Sequence, residues 1–260
     1  MTQATEGTKA AAAPTRTLQR GLRILEILAT ESRDSGLGVT EVATAVDLDK
    51  ATTNRLLQTL STLGYAYKDP DSKGYRLTGK LLSLSESFQS NLDVPRRIRP
   101  FLEQLRDETG HTVHFGIREL NRVVYILKLE STASVVIASA IGQSMPMHTT
   151  SLGKAILAGM PEVEREALYS TLTLERRTDR TITDLRRLRE EIALTQARGY
   201  SVDDRENENS VTCVGSPLID STGAVVGAIS ASGPSYAVEG RVEELGRLCQ
   251  GTAMTIRALL

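Results

Sequence analysis

Residues 39–77 carry the pattern that most restricts what this chain can fold into. Two short amphipathic segments lie on either side of Asp47-Leu48-Asp49, and a segment rich in turn-forming and basic residues follows them. This order predicts two helices joined by a tight turn and then a two-stranded hairpin, which together make a winged helix-turn-helix. Because one α-helix fits the major groove of B-DNA, the segment predicts a module that binds double-stranded DNA.

The first of the two helices is predicted to begin with Thr40 as its N-cap. The apolar residues that follow at helical spacing are Val42, Ala43 and Val46. Asp47 occupies the turn, where a left-handed backbone conformation is usual and Asp tolerates it, though less well than Gly. Asp49 is then placed to cap the second helix.

The second helix has one apolar and one polar face. Leu56, Leu60 and Leu63 recur at helical spacing with Leu57 beside them, so this face is predicted to be core. Gly64 is predicted to end the helix. Hydrogen-bonding side chains, which suit phosphates and base edges, occupy the other face. They are Lys50, Thr52, Asn54, Arg55 and Gln58.

The predicted wing consists of strands at 65–68 and 74–77 around a turn-rich loop. Its cations, expected to contact the DNA backbone, are Lys68, Lys73 and Arg76. Residues 50–80 contain six Lys or Arg and two Asp, a local net charge of +4 on a chain of net charge −1. The alternative is a small helical hairpin with solvated polar faces. The wing and the focused positive charge favour DNA binding.

The bulk properties describe an ordinary globular chain. Its 260 residues suggest two domains, and no apolar run is long enough to span a membrane. Cys213 and Cys249 form neither a disulfide framework nor a metal-binding spacing, which fits a reduced, cytoplasmic setting. Residues 1–16 lack the layout of a secretory signal and are expected to be a flexible polar tail.

We expect residues 17–79 to form the winged helix-turn-helix, 80–95 a linker helix and 96–260 a second domain. The second domain shows period-two strands near Val113–Ile117, apolar runs at 123–129 and 135–141, and helices at 99–108, 151–159, 161–171 and 183–198. Further strands are predicted at 200–203, 211–219 and 224–232, and a helix from about Val238 onward. The order predicts an α+β fold with a central, mostly antiparallel sheet and helices on its faces.

Four segments resemble the isocitrate lyase regulator (IclR) family of bacterial transcription factors. They are RTLQRGLRILEIL, DKATTNRLLQTLSTLGY, MPMHTTSLGKAILAGM and VTCVGSPLIDSTGAVVGAISASGP. The resemblance implies an N-terminal winged helix-turn-helix, a C-terminal effector domain of GAF-like fold, and assembly as homodimers or homotetramers. Asp47 stands where the family often has Gly, which bears on the geometry of the turn rather than on the fold.

The resemblance also implies a pocket for a small, often acidic metabolite. The residues it assigns to effector binding are His148, Ser151, Leu152, Asp203, Cys213, Ser230 and Ser232. A helix starting at Ser151 would offer free N–H groups to an anion, and Ser230 and Ser232 share one strand face. From the residues alone, the serines and Cys213 are better explained as small side chains packed in a strand, and the resemblance reverses this preference. Asp203 beside an anion would be repulsive, so it is expected to bind a hydroxyl, an amide or a cation.

A second hypothesis is an enzyme with a nucleic-acid-binding appendage. Ser151 and Lys154 match the S-x-x-K pattern of penicillin-binding enzymes, which would make the chain a serine hydrolase. The companion motifs are missing, and Lys154 is better explained as a helix-surface or interdomain charge. His111 and His114 would lie on opposite strand faces, so no metal site is expected, and no cofactor motif is present. Residues 183–198 are expected to be a solvated helix and 206–209 an exposed loop near the pocket. We therefore expect a ligand-responsive repressor without catalytic residues.

Overall fold

The computed structural model describes residues 15–31, 34–90, 93–133 and 137–260. The chain divides into two compact units, one within Met1–Asn91 and the other within Leu92–Leu260. Most of the predicted tail, residues 1–14, lies outside the described residues, and Arg16 already belongs to the first helix. No helix in the described ranges combines the length and apolar character needed to cross a bilayer.

The N-terminal unit contains three helices, a hairpin and a further helix in its described part. These are α1 Arg16–Thr30, α2 Val39–Ala45, α3 Lys50–Thr62, β1 Ala66–Lys68, β2 Tyr75–Leu77 and α4 Lys80–Ser90. The two strands are antiparallel. Ile24 and Leu28 of α1, Val42 of α2, Leu57 of α3 and Tyr75 of β2 pack into one core. This is the predicted helix-turn-helix followed by a wing.

The turn and the cap of α3 agree with the prediction. Asp47 has a φ of 52°, in the left-handed region that a short polar side chain tolerates. Asp49 Oδ1 accepts a hydrogen bond from Thr52 N at 2.8 Å, which satisfies one of the free N–H groups at the start of α3. Gly64 has a φ of 77° just beyond the helix end.

Two local predictions in this unit were wrong. The N-cap of α2 is Gly38, whose N–H donates to Glu41 Oε2 at 2.7 Å, and Thr40 lies inside the helix. The helix therefore begins two residues earlier than predicted, and Glu41 rather than Thr40 makes the side-chain contact at its N-terminus. Leu63 is 53% exposed, because α3 ends at Thr62 and the chain turns away from the core at Gly64.

The C-terminal unit is an α+β domain. Its elements are α5 Asp93–Thr109, β3 Thr112–Glu119, β4 Arg122–Leu129, β5 Ser144–Pro146, α6 Ser151–Gly159, α7 Glu162–Tyr169, α8 Leu185–Arg198, β6 Ser201–Asp204, β7 Val211–Ile219, β8 Val225–Pro234, α9 Ser235–Val238 and α10 Val242–Arg257. A 3₁₀ turn at Glu239–Arg241 joins the last two helices.

The described strands of this unit form a six-stranded sheet in the order β5-β4-β3-β8-β7-β6, and every pairing is antiparallel. Alternation along β8 separates two cores: Ile229 packs with residues of α5 and α10, and its neighbour Ala228 packs with residues of α6 and α8. Helices therefore cover both faces of the sheet, as the α+β prediction requires.

The structure corrects several element boundaries. α5 begins at Asp93 and contains Pro100, because its buried residues Ile98, Leu102 and Leu105 hold the helix together despite the lost hydrogen bond. β5 was missed. Of the apolar run 135–141, residues 135 and 136 lie outside the described residues, and 137–141 form no strand. The described part of α4 is Lys80–Ser90, and residues 91 and 92 of the predicted linker helix 80–95 lie outside the described residues.

Candidate functional sites

The exposed face of α3 carries the polar residues expected to meet DNA. Lys50, Arg55 and Gln58 are exposed, and Thr52 and Asn54 are half-buried. They occupy this face because Leu57 and Leu60, on the opposite side, are drawn into the core. No ion pair of Lys50 or Arg55 is found in the described part of the chain, so these two cations are available to a ligand.

The wing carries two exposed lysines on a loop held by local hydrogen bonds. Asp69 Oδ1 accepts hydrogen bonds from the N–H groups of Asp71 and Ser72, at 3.0 and 2.9 Å, which fixes the loop. Lys68 and Lys73 are exposed, whereas Arg76 is half-buried. Lys80, just beyond the wing, has a structural role: its ammonium donates to Leu63 O at 2.7 Å and lies 4.4 Å from the Tyr65 ring. The positive charge of the wing therefore resides mainly at its tip.

The C-terminal unit contains a small polar cavity beside the first turn of α6. The side chains that line it come from all six strands, from α6 and from two loops. They are His114, Tyr125, Ile137, Ala138, Ser139, Gln143, Met145, Thr150, Ser151, Leu152, Asp203, Asn207, Glu208, Val211, Cys213, Ser230 and Ser232. The volume of the cavity that is accessible to the centre of a water molecule is about 30 Å³, which suits a ligand of a few heavy atoms.

Strand register brings the predicted polar residues together in this cavity. Asp203 of β6 lies opposite Cys213 of β7, and Cys213 lies opposite Ser232 of β8. In the next row, Ser230 lies opposite His114 of β3. Residues in register on neighbouring strands point to the same face of a sheet, so the two rows form one polar floor.

The start of α6 closes one side of the cavity. Thr150 Oγ1 accepts a hydrogen bond from Gly153 N at 3.1 Å, which leaves the N–H groups of Ser151 and Leu152 without an intrahelical acceptor. Gly153 lies against the backbone of Met147, where a Cβ atom would come within 2.2 Å of the Met147 carbonyl oxygen. This close approach holds the first turn of α6 against the preceding segment, and the free N–H groups and the helix dipole favour an anion.

Asp203 organises the loop that forms another wall. Its Oδ1 accepts hydrogen bonds from the N–H groups of Glu206 and Asn207, at 2.8 and 3.3 Å. Behind the wall, Lys154 Nζ pairs with Glu206 Oε1 at 2.5 Å, and the Lys154 side chain is 0% exposed. Burial raises the pKa of Asp203 to about 7, although the nearby Lys154 ammonium acts in the opposite direction.

Six of the seven residues assigned to effector binding line the cavity, and His148 does not. His148 is buried elsewhere, with its Nε2 3.0 Å from Glu175 O. His114, which was not among the residues assigned to effector binding, lies in the cavity with its Nε2 2.8 Å from Ser139 Oγ. Burial lowers the pKa of His114 to about 3, so its ring is neutral. Its alternation with Val113 and Phe115 was the signal that could have placed it on the polar face.

Two further predictions about this region were wrong. Lys154 is neither a surface nor an interdomain charge, because Glu206 pairs with it inside the unit. Glu206 and Asn207 are buried rather than part of an exposed loop, since their carbonyls accept hydrogen bonds from Thr181 Oγ1 and Arg177 Nε. With its ammonium held by a carboxylate, Lys154 is not placed to act as the base of a Ser151 nucleophile.

The same two units are found together in a known family. A model of the bacterial transcriptional regulator IclR C-terminal domain matches residues 87–258, and a model of the IclR helix-turn-helix domain matches residues 17–70. The chain belongs to the IclR family. It is therefore a transcriptional regulator with an N-terminal helix-turn-helix domain, as the sequence resemblance implied.

IclR-family relatives and structures match along almost the whole chain. The HTH-type transcriptional regulator KdgR of Escherichia coli K12 is 31% identical over 91% of this chain and 90% of its own length. The HTH-type transcriptional repressor AllR of the same strain is 31% identical over 94% and 89%. The crystal structure of Thermotoga maritima IclR superimposes with a TM-score of 0.79 at 28% identity, covering 94% of this chain and 98% of that one. These relatives are regulators, and they lend no support to a serine hydrolase.

Proposed function

We propose that this protein represses transcription by binding an operator through α3 and the wing. When a small carboxylate occupies the cavity of the C-terminal unit, the protein leaves the operator or changes its arrangement on the DNA. The observation that carries the proposal is the cavity, in which a polar floor faces a helix N-terminus. The other unit of the same chain contains a helix-turn-helix. A mobility-shift experiment with the DNA upstream of its own gene, with and without short carboxylates, tests both halves.

The DNA interface proposed here uses two kinds of contact. The residues Lys50, Thr52, Asn54, Arg55 and Gln58 of α3 read base edges and nearby phosphates. Lys68 and Lys73 at the tip of the wing, with Arg76 at its base, contact the DNA backbone. Long charged side chains on a short loop suit such contacts, because phosphates can be reached from many directions.

One helix-turn-helix covers only half of an operator, so a symmetric dimer, alone or within a tetramer, is part of the proposal. Leu18 and Leu22 of α1 and Leu82, Leu84 and Phe88 of α4 are exposed apolar side chains in the same unit. A partner subunit that covered them would remove this surface from water, which is the main driving force of stable association.

Arg55→Ala is expected to weaken operator binding by roughly 1–3 kcal/mol if Arg55 reads a base edge, because a bidentate contact is lost. Fluorescence anisotropy against the operator and against scrambled DNA measures the loss. If Arg55 touches only phosphate, the protein loses affinity for both DNAs alike. The slope of log affinity against log salt concentration then falls in magnitude by about one. Arg186→Ala, at an exposed position of the other unit, is the control. Unchanged operator affinity in Arg55→Ala would contradict the proposed docking of α3.

The effector is held in this proposal by four groups. The N–H groups of Ser151 and Leu152 bind its carboxylate, and Ser230 and Ser232 bind its remaining polar atoms from the floor of the cavity. Cys213 forms a small wall between the serines and Asp203, and burial raises the pKa of its thiol, so it adds no charge.

The double variant Ser230→Ala/Ser232→Ala is expected to bind short carboxylates roughly 5- to 150-fold more weakly, because two hydrogen bonds of roughly 0.5–1.5 kcal/mol each are lost. Isothermal titration with lactate or a comparable probe measures this loss. Operator affinity without ligand should stay nearly constant, because only the coupling between two separate sites has changed. Full-strength binding to the double variant would place the effector elsewhere.

A further inference from the structure

The effector cavity holds acidic groups but no cationic side chain. Asp203 and Glu208 line it, and no Lys or Arg does so within the described residues. The buried Lys154 ammonium is committed to Glu206 Oε1 at 2.5 Å, and the Lys128 ammonium donates to the carbonyls of Ile137 and Ser139. An anionic effector would therefore meet two carboxylates without a matching positive side chain, which is unfavourable unless one carboxylate loses its charge.

The two oxygens of Asp203 are in different situations. Oδ1 accepts two backbone hydrogen bonds, from Glu206 and Asn207. Oδ2 has no hydrogen-bond partner in the described part of the chain, and Asp203 is 3% exposed and lines the cavity. The residue is thus a buried carboxyl group with one oxygen fixed to the loop and the other left for a ligand.

The surroundings of Asp203 favour its uncharged form. Burial is the largest cause of the raised pKa, and the Glu206 carboxylate acts in the same direction against the Lys154 ammonium. Burial also raises the pKa values of Cys213 and Tyr125 and lowers that of His114, so these three groups stay uncharged near neutral pH. The titratable and charged groups around Asp203 are Lys154 of α6, Glu206 and Glu208 of the following loop, Cys213 of β7, Tyr125 of β4, His114 of β3 and Arg177 of the loop before α8.

We propose that Asp203 binds the carboxylate of the effector as a carboxylic acid, so that effector binding takes up a proton from solvent wherever Asp203 is ionised in the free protein. The proton goes to Asp203 Oδ2, which donates it in a hydrogen bond to a carboxylate oxygen of the effector. The effector keeps its negative charge, which the N–H groups of Ser151 and Leu152 stabilise. This inference rests on the proposed function.

The direction of the pH dependence follows from linkage. In the free protein Asp203 titrates near pH 7, and a bound carboxylate stabilises the protonated form and raises its pKa further. Binding is therefore strongest below pH 7. Above pH 7, affinity falls by up to tenfold for each pH unit until the pKa of the complex is reached.

Isothermal titration of the full-length protein with lactate, at several pH values and in buffers of different ionisation enthalpy, measures the protons taken up. We expect uptake approaching one proton per lactate at pH 8.5, and affinity about 30-fold lower than at pH 6. Lactamide, the neutral analogue, should bind without proton uptake. Acetate and propionate serve as further carboxylate probes.

Asp203→Asn and Glu208→Gln form a matched pair of variants. The amide introduced by Asp203→Asn can still accept from the loop N–H groups, and its NH₂ group donates at every pH. Lactate binding in this variant should therefore become independent of pH between 6 and 8.5, without proton uptake. Glu208→Gln should keep the uptake. Circular dichroism and thermal unfolding show whether each variant folds. If Asp203→Asn does not fold, the number of protons that the wild-type protein takes up on binding lactate still tests the proposal.

The outcomes separate this proposal from the proposed function. Carboxylate binding without proton uptake, or uptake that survives in Asp203→Asn and disappears in Glu208→Gln, overturns the role of Asp203 but leaves an effector site in the cavity. Failure of lactate, acetate and propionate to bind at any pH contradicts both. Uptake with lactate, none with lactamide, and none in Asp203→Asn supports the proposal.

Discussion

Replacing Lys154 with Met is expected to destabilise the C-terminal unit by about 3–5 kcal/mol, because it leaves the Glu206 carboxylate buried without its counter-charge. Lys154 is fully buried and its ammonium donates to Glu206 Oε1, whereas Glu206 Oε2 already lacks a hydrogen-bond partner within the described residues. Met preserves the length of the side chain, so the effect reports charge rather than a cavity. Chemical denaturation monitored by circular dichroism measures the free energy of unfolding.

Two comparisons make this result specific. Burial already raises the pKa of Glu206, and loss of Lys154 raises it further, so the folded variant binds a proton more readily than the unfolded chain does. The destabilisation should therefore shrink as the pH falls below the raised pKa of Glu206. The double variant Lys154→Met/Glu206→Gln should recover part of the loss, and Arg186→Ala, which breaks an exposed pair with Glu190, should have almost no effect. Equal destabilisation at every pH would mean that packing, not charge, is what Lys154 provides.

Gly153→Ala is the second change with a large expected effect. A Cβ at this position would lie 2.2 Å from the Met147 carbonyl oxygen and 2.4 Å from Met147 Cα, and backbone atoms cannot move aside as a flexible side chain would. The first turn of α6 must then shift away from residues 145–150. We expect a loss of about 1–3 kcal/mol in the free energy of unfolding, together with loss of carboxylate binding, because the Ser151 and Leu152 N–H groups move.

Gly251→Ala provides the control for this substitution. Gly251 lies within α10, and nothing approaches within 4 Å of a Cβ placed there. The same chemical change should therefore leave stability unchanged or raise it by about 0.4–1 kcal/mol, since alanine favours the helix and restricts the unfolded chain. If both variants were equally stable and both bound lactate, the close approach of α6 to Met147 would have no part in shaping the cavity.

Local sequence determined most of the secondary structure and the features of the helix-turn-helix. The helical spacing of Leu57 and Leu60 placed the core face of α3, and Asp47, Asp49 and Gly64 marked the turn, the cap and the helix end. These features depend on residues within one or two turns of each other, which is why they can be read from the chain. Thr40 failed as a cap because the helix already begins at Val39, where the Gly38 N–H finds its acceptor in Glu41.

The cavity was only partly accessible to such reasoning. Alternation along β8 put Ser230 and Ser232 on one face, but which residues of other strands lie beside them depends on register. Cys213 meets Ser232, and His114 meets Ser230, because β7 and β3 pair with β8 at particular positions that no short segment specifies. His148 is close in sequence to the lining residue Thr150, yet its ring is turned toward the Glu175 carbonyl.

The charge state of the cavity was decided by tertiary structure alone. In the sequence, Lys154 is an ordinary lysine on a short helix, and Glu206 belongs to a polar run that resembles an exposed loop. Folding buries both, pairs them, and places Asp203 beside them in a setting that raises its pKa to about 7. The family and its two domains follow from patterns along the chain. The protonation of Asp203 depends on distances and burial between residues that are up to 52 positions apart, which only the packed structure brings together.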